Sequence, residues 1–159
     1  SAEKALPDEI LRSALADVTS PGRLQIISKN PLILLDAAHN PHGARSLADA
    51  LINSFQSPAA IGVISILGDK DARGVLEALE PVLNEIILTK SSSTRATALA
   101  DLIPLALEIF GIDRVFQAED AKSALDEAKT RLVPGGIVVV SGSITLIGDV
   151  LKLKQLEEI

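Results

Sequence analysis

Short β-rich runs alternate with helical segments along almost the whole chain, and this alternation limits the possible folds more than any other feature. Six strands are predicted, and several are apolar throughout, as expected for strands buried on both faces of a sheet. They span residues 24–28, 32–36, 60–67, 85–89, 114–117 and 137–141. Because strands that alternate with helices over short connections form a mostly parallel, covered sheet, the pattern predicts an α/β protein.

The segments between the strands carry helical patterns, and one connection is too short for a helix. The predicted helices span residues 41–55, 71–83, 94–110, 118–132 and 144–157, with a weaker pattern over 8–18. Only Lys29, Asn30 and Pro31 separate the first two strands, which therefore form an antiparallel hairpin at one edge of the sheet. The predicted fold is a Rossmann-like three-layer sandwich, with about six mostly parallel strands, one antiparallel edge strand and helices on both faces.

The size and composition of the chain indicate one domain. Its 159 residues, 47% of them apolar, are enough to build one sizeable core. No internal repeat, low-complexity tract or linker divides the sequence. Residues 1–159 are therefore predicted to form a single domain.

Charge and hydropathy exclude several classes of partner. The formal net charge is −6, and the lysines and arginines are scattered, which predicts no nucleic-acid surface. The apolar runs are only as long as strands, and the N-terminal residues lack a secretion signal pattern, so no membrane association is predicted. There is no cysteine, which excludes disulfides and thiolate catalysis and is compatible with the cytoplasm. A small-molecule ligand fits this composition better.

A first candidate site lies where the second predicted strand runs into a helix. Asp36 ends the strand, and Asn40 followed by Pro41 is typical of a helix N-cap and first helical residue. Such a helix start can hold an anion. Taken alone, Asp36 could equally cap a turn. His39 and His42 are three residues apart but have no third ligand nearby in the sequence, so no metal site is predicted.

Two further strand ends carry polar residues that a ligand could use. Lys70 stands between two aspartates after the third strand, where its ammonium group can pair with a carboxylate or phosphate, or can simply be solvated. Ser141, Gly142 and Ser143 end the last strand, and their hydroxyls suit a small polar ligand, although Ser143 could serve only as a helix N-cap. Carboxyl ends of parallel strands form the ligand crevice of open sheets, so these residues are expected at one edge.

Four short segments, taken in order, carry a family resemblance. They are residues 21–24 (Pro-Gly-Arg-Leu), 35–41 (Leu-Asp-Ala-Ala-His-Asn-Pro), 68–71 (Gly-Asp-Lys-Asp) and 141–143 (Ser-Gly-Ser). Together they resemble the C-terminal domain of folylpolyglutamate synthases and dihydrofolate synthases, within the Mur ligase family. The resemblance covers the chain from about residue 21 onward. Ala37 stands where that family usually has glycine, and Ile144-Thr145 where it has Leu-Tyr.

The resemblance implies an ATP-dependent ligase that adds L-glutamate to folate or dihydropteroate through an acyl phosphate, with Mg²⁺. The chain has no Gly-x-x-x-x-Gly-Lys-Ser/Thr loop. The triphosphate and Mg²⁺ are therefore expected on a P-loop central domain of the same parent protein, and this chain is expected to be inactive alone. The resemblance also implies site residues: Arg23 and Asp36 for ATP, His39 and Asn40 at the reacting groups, and Lys70 and Ser143 for glutamate.

Two other classes of protein share the strand–helix alternation. A stand-alone Rossmann-type nucleotide-binding domain would carry Gly-x-Gly-x-x-Gly after a strand, and no strand here is followed by that pattern. A receiver-like regulatory domain would use Asp36 as phosphate acceptor, with an acidic cluster beside it and a lysine at a later strand end. The last strand of this chain ends in Ser141, Gly142 and Ser143 instead.

Overall fold

A computed structural model describes residues 6–16 and 22–159 as six strands, six α-helices and two 3₁₀ turns. The strands are β1 (Gln25–Lys29), β2 (Leu32–Leu35), β3 (Ala60–Ile64), β4 (Glu85–Leu88), β5 (Val115–Gln117) and β6 (Ile137–Ser141). The helices are α1 (Asp8–Leu15), α2 (Pro41–Asn53), α3 (Ala72–Leu79), α4 (Leu99–Phe110), α5 (Ala121–Arg131) and α6 (Ile144–Gln155). The 3₁₀ turns span Glu80–Val82 and Ile112–Arg114.

The strands form one sheet in the order β1-β2-β6-β3-β4-β5. Only β1 runs antiparallel to its neighbour, and the remaining pairs are parallel. The predicted mixed sheet with an antiparallel edge hairpin is therefore confirmed. The last strand, β6, lies between β2 and β3, so their carboxyl ends meet beside its own.

Alternate residues of the strands face two separate helical layers. Leu34 and Val139 pack in a core with α2, α3 and α4. Leu35 and Val140, their neighbours along the chain, pack on the opposite face with α5 and α6. Because both faces of the sheet are covered, the inner strands need apolar side chains at every position, which explains their unbroken apolar sequences. The three-layer arrangement agrees with the predicted fold class.

Several element boundaries differ from the predicted ones for local reasons. The third strand ends at Ile64 rather than at residue 67, because Leu67 has left the sheet to pair with Ala96. The helix predicted over 71–83 ends at Leu79, since Pro81 has no backbone N–H with which to continue it. The weak helical pattern over 8–18 is present as α1. Residues 17 and 18, like Pro21 of the first family segment, lie outside the described ranges.

The helices are short. The longest described helix, α2, has 13 residues. At 1.5 Å per residue it is about 20 Å long, against about 30 Å for the hydrocarbon core of a bilayer. None of the helices in residues 6–16 and 22–159 has the length and apolar character needed to span a membrane.

The guanidinium group of Arg114 joins the ends of two helices at the edge of the sheet opposite to the strand carboxyl ends. It donates hydrogen bonds to the carbonyl oxygens of Glu80 (2.9 Å), Leu83 (2.7 Å) and Asn84 (3.1 Å). It also pairs with the Glu80 carboxylate at 2.8 Å and lies over the ring of Phe110 at the end of α4. These carbonyls end a helical segment, where backbone acceptors have no partner within the helix.

We expect Arg114→Ala to destabilise the chain by about 2 kcal/mol, because it leaves several partly buried carbonyl groups without a donor. Urea unfolding measures this change. Arg73→Ala is the matched control, since among the described residues the Arg73 guanidinium pairs only with the surface carboxylates of Glu77 and Glu108. Equal midpoints for the two variants would contradict the role of Arg114 as a structural clamp.

Candidate functional site

The buried polar side chains of the described residues gather at one edge of the sheet. Each lies at the carboxyl end of a strand or within three residues after it: Asp36, Ser65, Thr89, Ser91, Ser141 and Ser143. The interior elsewhere in these ranges is apolar. Because open parallel sheets bind ligands at this edge, the distribution supports a functional site there.

The carboxylate of Asp36 is buried, and each of its oxygens accepts a hydrogen bond from the backbone. Its relative exposure is 7%, and its two oxygens accept hydrogen bonds from the N–H groups of Leu24 (3.2 Å) and Ala38 (3.0 Å). Burial raises the pKa of Asp36, while the two N–H donors and the charge of Arg23 oppose this shift. The bond to Ala38 is the turn cap that the sequence allowed. The bond to Leu24 does more, because it ties the β1 entry to the β2 exit.

This tie brings Arg23 to the mouth of a cleft at the start of α2. Gly22 accepts a hydrogen bond from the N–H of Ala37, and the exposed Arg23 follows it in the turn. The cleft has a volume of about 390 Å³ and is lined by residues of this turn and of the β2–α2 connection: Arg23, Leu24, Asp36, Ala37, Ala38, His39, Asn40, His42, Gly43, Ser46 and Leu47. The structure thus brings together four of the six predicted site residues.

His39 and Asn40 present polar atoms at the start of α2. Asn40 is the N-cap, and its Oδ1 accepts the N–H of Gly43 at 2.8 Å, which leaves its amide hydrogens for a ligand. His39 Nδ1 is 3.0 Å from the carbonyl oxygen of Ala37, so Nδ1 carries the hydrogen and Nε2 is the atom that can face a ligand. No group of three metal-ligating side chains occurs in the described ranges, His39 and His42 included.

Lys70 lies beside this cleft rather than in it. It precedes α3, whose N-cap Asp71 accepts the N–H of Gly74 at 2.9 Å. The starts of α2 and α3 are in close contact, since a Cβ on Gly74 would lie 2.5 Å from Pro41 Cγ. The Lys70 side chain is about one-third exposed, and its Nζ lies 4.0 Å from the Asp69 carboxylate. The structure therefore places Lys70 one helix start away from the four cleft residues.

The turn after β6 packs tightly against its neighbours. The N–H of Gly142 and the hydroxyl of Ser141 both donate to the carbonyl oxygen of Ala38, at 3.0 and 3.4 Å. Ser143 is buried, and its hydroxyl accepts the N–H of Leu146 at 3.1 Å as the N-cap of α6. The capping role that the sequence allowed for Ser143 is thus present, and its hydroxyl hydrogen is not used by this bond.

One part of this edge was not predicted. Residues 94–98 were expected to be helical, but they continue the loop that begins at residue 91: residues 94 and 95 form a turn, Ala96 pairs with Leu67, and residues 97 and 98 lead into α4. The N–H of Ser91 donates to the hydroxyl of Ser65 at the end of β3, which anchors this connection to the sheet. Clusters of serine and threonine favour loops through side-chain bonds to nearby backbone groups, and that signal could have located the loop.

A second and larger cleft, of about 740 Å³, lies between this loop and the α5 and α6 helices. Its polar lining includes Lys90, Lys122 and Lys152, and also the carboxylates of Glu119 and Glu158. Cations and anions are thus mixed along its walls. None of the predicted site residues lies in it.

Comparison with known families gives one match that covers most of the chain. Residues 22–144 match the family model described as "Mur ligase, glutamate ligase domain". The chain is 44% identical over 127 residues to the dihydrofolate synthase/folylpolyglutamate synthase of Mycobacterium tuberculosis. That alignment covers 80% of this chain and 26% of the relative.

Solved structures show the same architecture. A folylpolyglutamate synthase of M. tuberculosis complexed with ADP superposes with a TM-score of 0.82 at 40% identity, over 87% of this chain and 33% of that one. The bifunctional folylpolyglutamate synthase/dihydrofolate synthase of Yersinia pestis, complexed with AMPPNP and a Mn ion, superposes with a TM-score of 0.72 at 29% identity. That superposition covers 90% of this chain and 33% of the Y. pestis chain. The chain spans about a quarter to a third of these relatives.

Proposed function

The chain belongs to the Mur ligase family as a glutamate ligase domain, and on that premise we propose that it is the C-terminal domain of a ligase that adds L-glutamate to folate or dihydropteroate at the expense of ATP. The observation that carries the proposal is the cleft at the start of α2, where Arg23, the buried Asp36, His39 and Asn40 come together. Such a constellation offers a cation, a helix start and positioned polar groups for phosphate chemistry.

Arg23 and Asp36 form the proposed nucleotide contact. The exposed guanidinium of Arg23 can bind phosphate oxygens through two parallel N–H groups. Asp36 fixes the turn that carries Arg23, through its bond to the N–H of Leu24, and its carboxylate lies in the same cleft. The solved relatives that contain ADP or AMPPNP support a nucleotide at this family's site.

The proposed reaction has two steps. A carboxylate oxygen of the pterin substrate attacks the γ-phosphorus of ATP, and the bond to ADP breaks. The amine nitrogen of glutamate then attacks the carbonyl carbon of the acyl phosphate, loses a proton, and phosphate leaves with the former carboxylate oxygen. His39 Nε2 and the Asn40 amide are proposed to contact the transferring oxygens or the incoming amine, where positioned polar groups lower the barrier.

Lys70 and Ser143 are the proposed contacts of the glutamate carboxylate. Lys70 suits this role as an ammonium group that is partly exposed beside the cleft. Ser143 would contribute the hydroxyl hydrogen that its capping bond does not use. The two residues lie at the exits of β3 and β6, which are neighbours in the sheet.

The proposal assigns Mg²⁺ and most of the triphosphate to a P-loop central domain of the full-length protein. This chain has no P-loop sequence, and its described residues offer no set of three metal ligands, so they do not fit a resident metal site. The domain would act by closing over the nucleotide and presenting glutamate. In this arrangement the isolated chain has no ligase activity, and the proposed location of the full-length protein is the cytoplasm.

The cleft composition favours the ligase over a receiver-like domain. Receiver chemistry needs an acidic cluster that holds a divalent cation beside the phospho-acceptor. In the described part of the chain, Asp36 is the only carboxylate that lines this cleft. The family match and the solved relatives likewise support the ligase and not a stand-alone nucleotide-binding domain.

We expect His39→Ala to lower kcat/KM of the full-length ligase about tenfold, the size of effect expected when one positioned hydrogen bond of about 1.4 kcal/mol is lost. Steady-state kinetics with saturating ATP measure it. His42→Ala is the control, because His42 lines the same cleft, as the second residue of α2, and has no proposed role in the reaction. Wild-type kinetics for the His39 variant would remove this residue from the site.

Oxygen-18 in the substrate carboxylate tests the proposed function. The full-length protein should transfer one ¹⁸O atom to each inorganic phosphate and release ADP, because the acyl phosphate passes through that oxygen. Release of AMP and pyrophosphate, with ¹⁸O in AMP, would indicate an acyl adenylate and contradict the proposed chemistry.

A further inference from the structure

The loop of residues 91–97, here called the serine loop, is fastened to helix α6 by one carboxylate. Asp149 Oδ2 accepts the N–H of Ser92 at 2.8 Å, and Asp149 Oδ1 accepts the Ser92 hydroxyl at 2.6 Å. We propose that Asp149 is a positioning residue of the amino-acid site, which acts through the serine loop on the loop that carries Lys70. This proposal rests on the proposed function, since it takes Lys70 as the glutamate contact.

The serine loop in turn holds the connection between β3 and α3, residues 65–71, here called the lysine loop. The N–H of Gly68 donates to the carbonyl oxygen of Arg95 at 2.7 Å, and the N–H of Thr97 donates to that of Ile66 at 2.8 Å. Leu67 pairs with Ala96 in an antiparallel bridge between these bonds. The two loops therefore form a short ladder, and a shift of one must move the other.

The same ladder sets the charge around Lys70. Asp69 lies between two cations, with its Oδ2 3.6 Å from Arg95 Nη1 and 4.0 Å from Lys70 Nζ. Arg95 thus shares the Asp69 carboxylate, which leaves Lys70 able to attract the carboxylate of an incoming amino acid. If the serine loop moves away, Arg95 moves with it and Lys70 becomes the cation nearest to the Asp69 carboxylate. Asp69 then competes with the carboxylate of the incoming amino acid for Lys70.

The position of Asp149 suggests an effect on binding more than on folding. The residue is half-buried on α6, and its partner Ser92 is exposed. No core side chain depends on this contact, and surface hydrogen bonds contribute little to the free energy of unfolding. A loss of the contact should therefore loosen the two loops while the sheet and helices keep their packing.

The test compares three variants of the full-length protein by steady-state kinetics. Asp149→Ala should raise KM for glutamate about fivefold to tenfold, with kcat and KM for ATP within about twofold of wild type. Asp149→Asn should keep KM for glutamate within about twofold of wild type, because its amide oxygen can still accept the N–H of Ser92. Asp126→Ala is the matched control, since among the described residues the Asp126 carboxylate bonds only to Lys122, on the surface of α5, and the variant should leave KM unchanged.

A fall in kcat with unchanged KM, or an equal rise in KM for Asp126→Ala, would overturn the proposal. Hydrogen–deuterium exchange of the 159-residue chain gives a second readout that needs no ligase activity. Asp149→Ala should speed exchange in both residues 91–97 and residues 65–71. Unchanged exchange in 65–71 would refute the coupling of the loops, whereas an inactive wild-type ligase with coupled loops would contradict only the proposed function.

Discussion

Replacing Asp36 with alanine should lower kcat/KM of the proposed full-length ligase for ATP at least about 100-fold. The substitution removes a carboxylate from the cleft and releases the N–H of Leu24, which holds the turn that presents Arg23. A 100-fold loss corresponds to about 2.7 kcal/mol of transition-state stabilisation, which is within the range for a lost positioning group. Arg23→Ala should give a loss of similar size, because it removes the proposed phosphate contact itself.

The Asp36→Ala and Arg23→Ala variants must remain folded, because only then does a loss of activity report on the cleft. Burial raises the pKa of Asp36, so the folded chain binds the Asp36 proton more tightly than the unfolded chain does. Ionisation of Asp36 therefore lowers the free energy of unfolding as pH rises from the unfolded pKa of Asp36 to its raised folded pKa. Asp36→Ala should remove this pH dependence. Unfolding of the Asp36 variant at neutral pH would make Asp36 a structural residue, and full activity would exclude it from the site.

Gly142→Ala should destabilise the chain by about 3 kcal/mol or more. Gly142 has φ +105°, where side chains are strained, and a Cβ there would overlap the carbonyl oxygen of Ser65. The turn cannot move aside easily, because the N–H of Gly142 donates to the carbonyl oxygen of Ala38. Urea unfolding of the 159-residue chain measures the loss.

Gly148→Ala is the control for this substitution. Gly148 lies inside α6, and a Cβ there would meet no atom within 4 Å. Alanine is the better helix former by up to about 1 kcal/mol, so this variant should be as stable as wild type or more stable. Similar unfolding midpoints for the two alanine variants would show that the turn after β6 tolerates a side chain.

Much of the sheet and of the α2 cleft could be predicted from sequence, because both depend on local patterns. Unbroken apolar runs specify strands that are covered on both faces, and the short connection through Asn30 and Pro31 specifies the edge hairpin. Asn40 and Pro41 mark the start of α2. Asp36, His39 and Asn40 lie within five consecutive residues, so their closeness in the structure follows from their closeness in the sequence.

The remaining features depend on contacts between distant segments. The central position of β6, the last strand, follows from its pairing with β2 and β3 and has no local signal. The non-helical course of residues 94–98 results from the bonds of Arg95 and Thr97 to the lysine loop, which override the helical pattern. The bond of Asp149 to Ser92 spans 57 residues, and no sequence pattern indicated it.

Incorporation of labelled L-glutamate into dihydropteroate or tetrahydrofolate is the most direct test of the proposed ligase. The assay uses the full-length protein beside the 159-residue chain, each with and without ATP. Label should enter the pterin only with the full-length protein and only with ATP. A folded full-length protein that transfers no glutamate to either pterin would contradict the assignment.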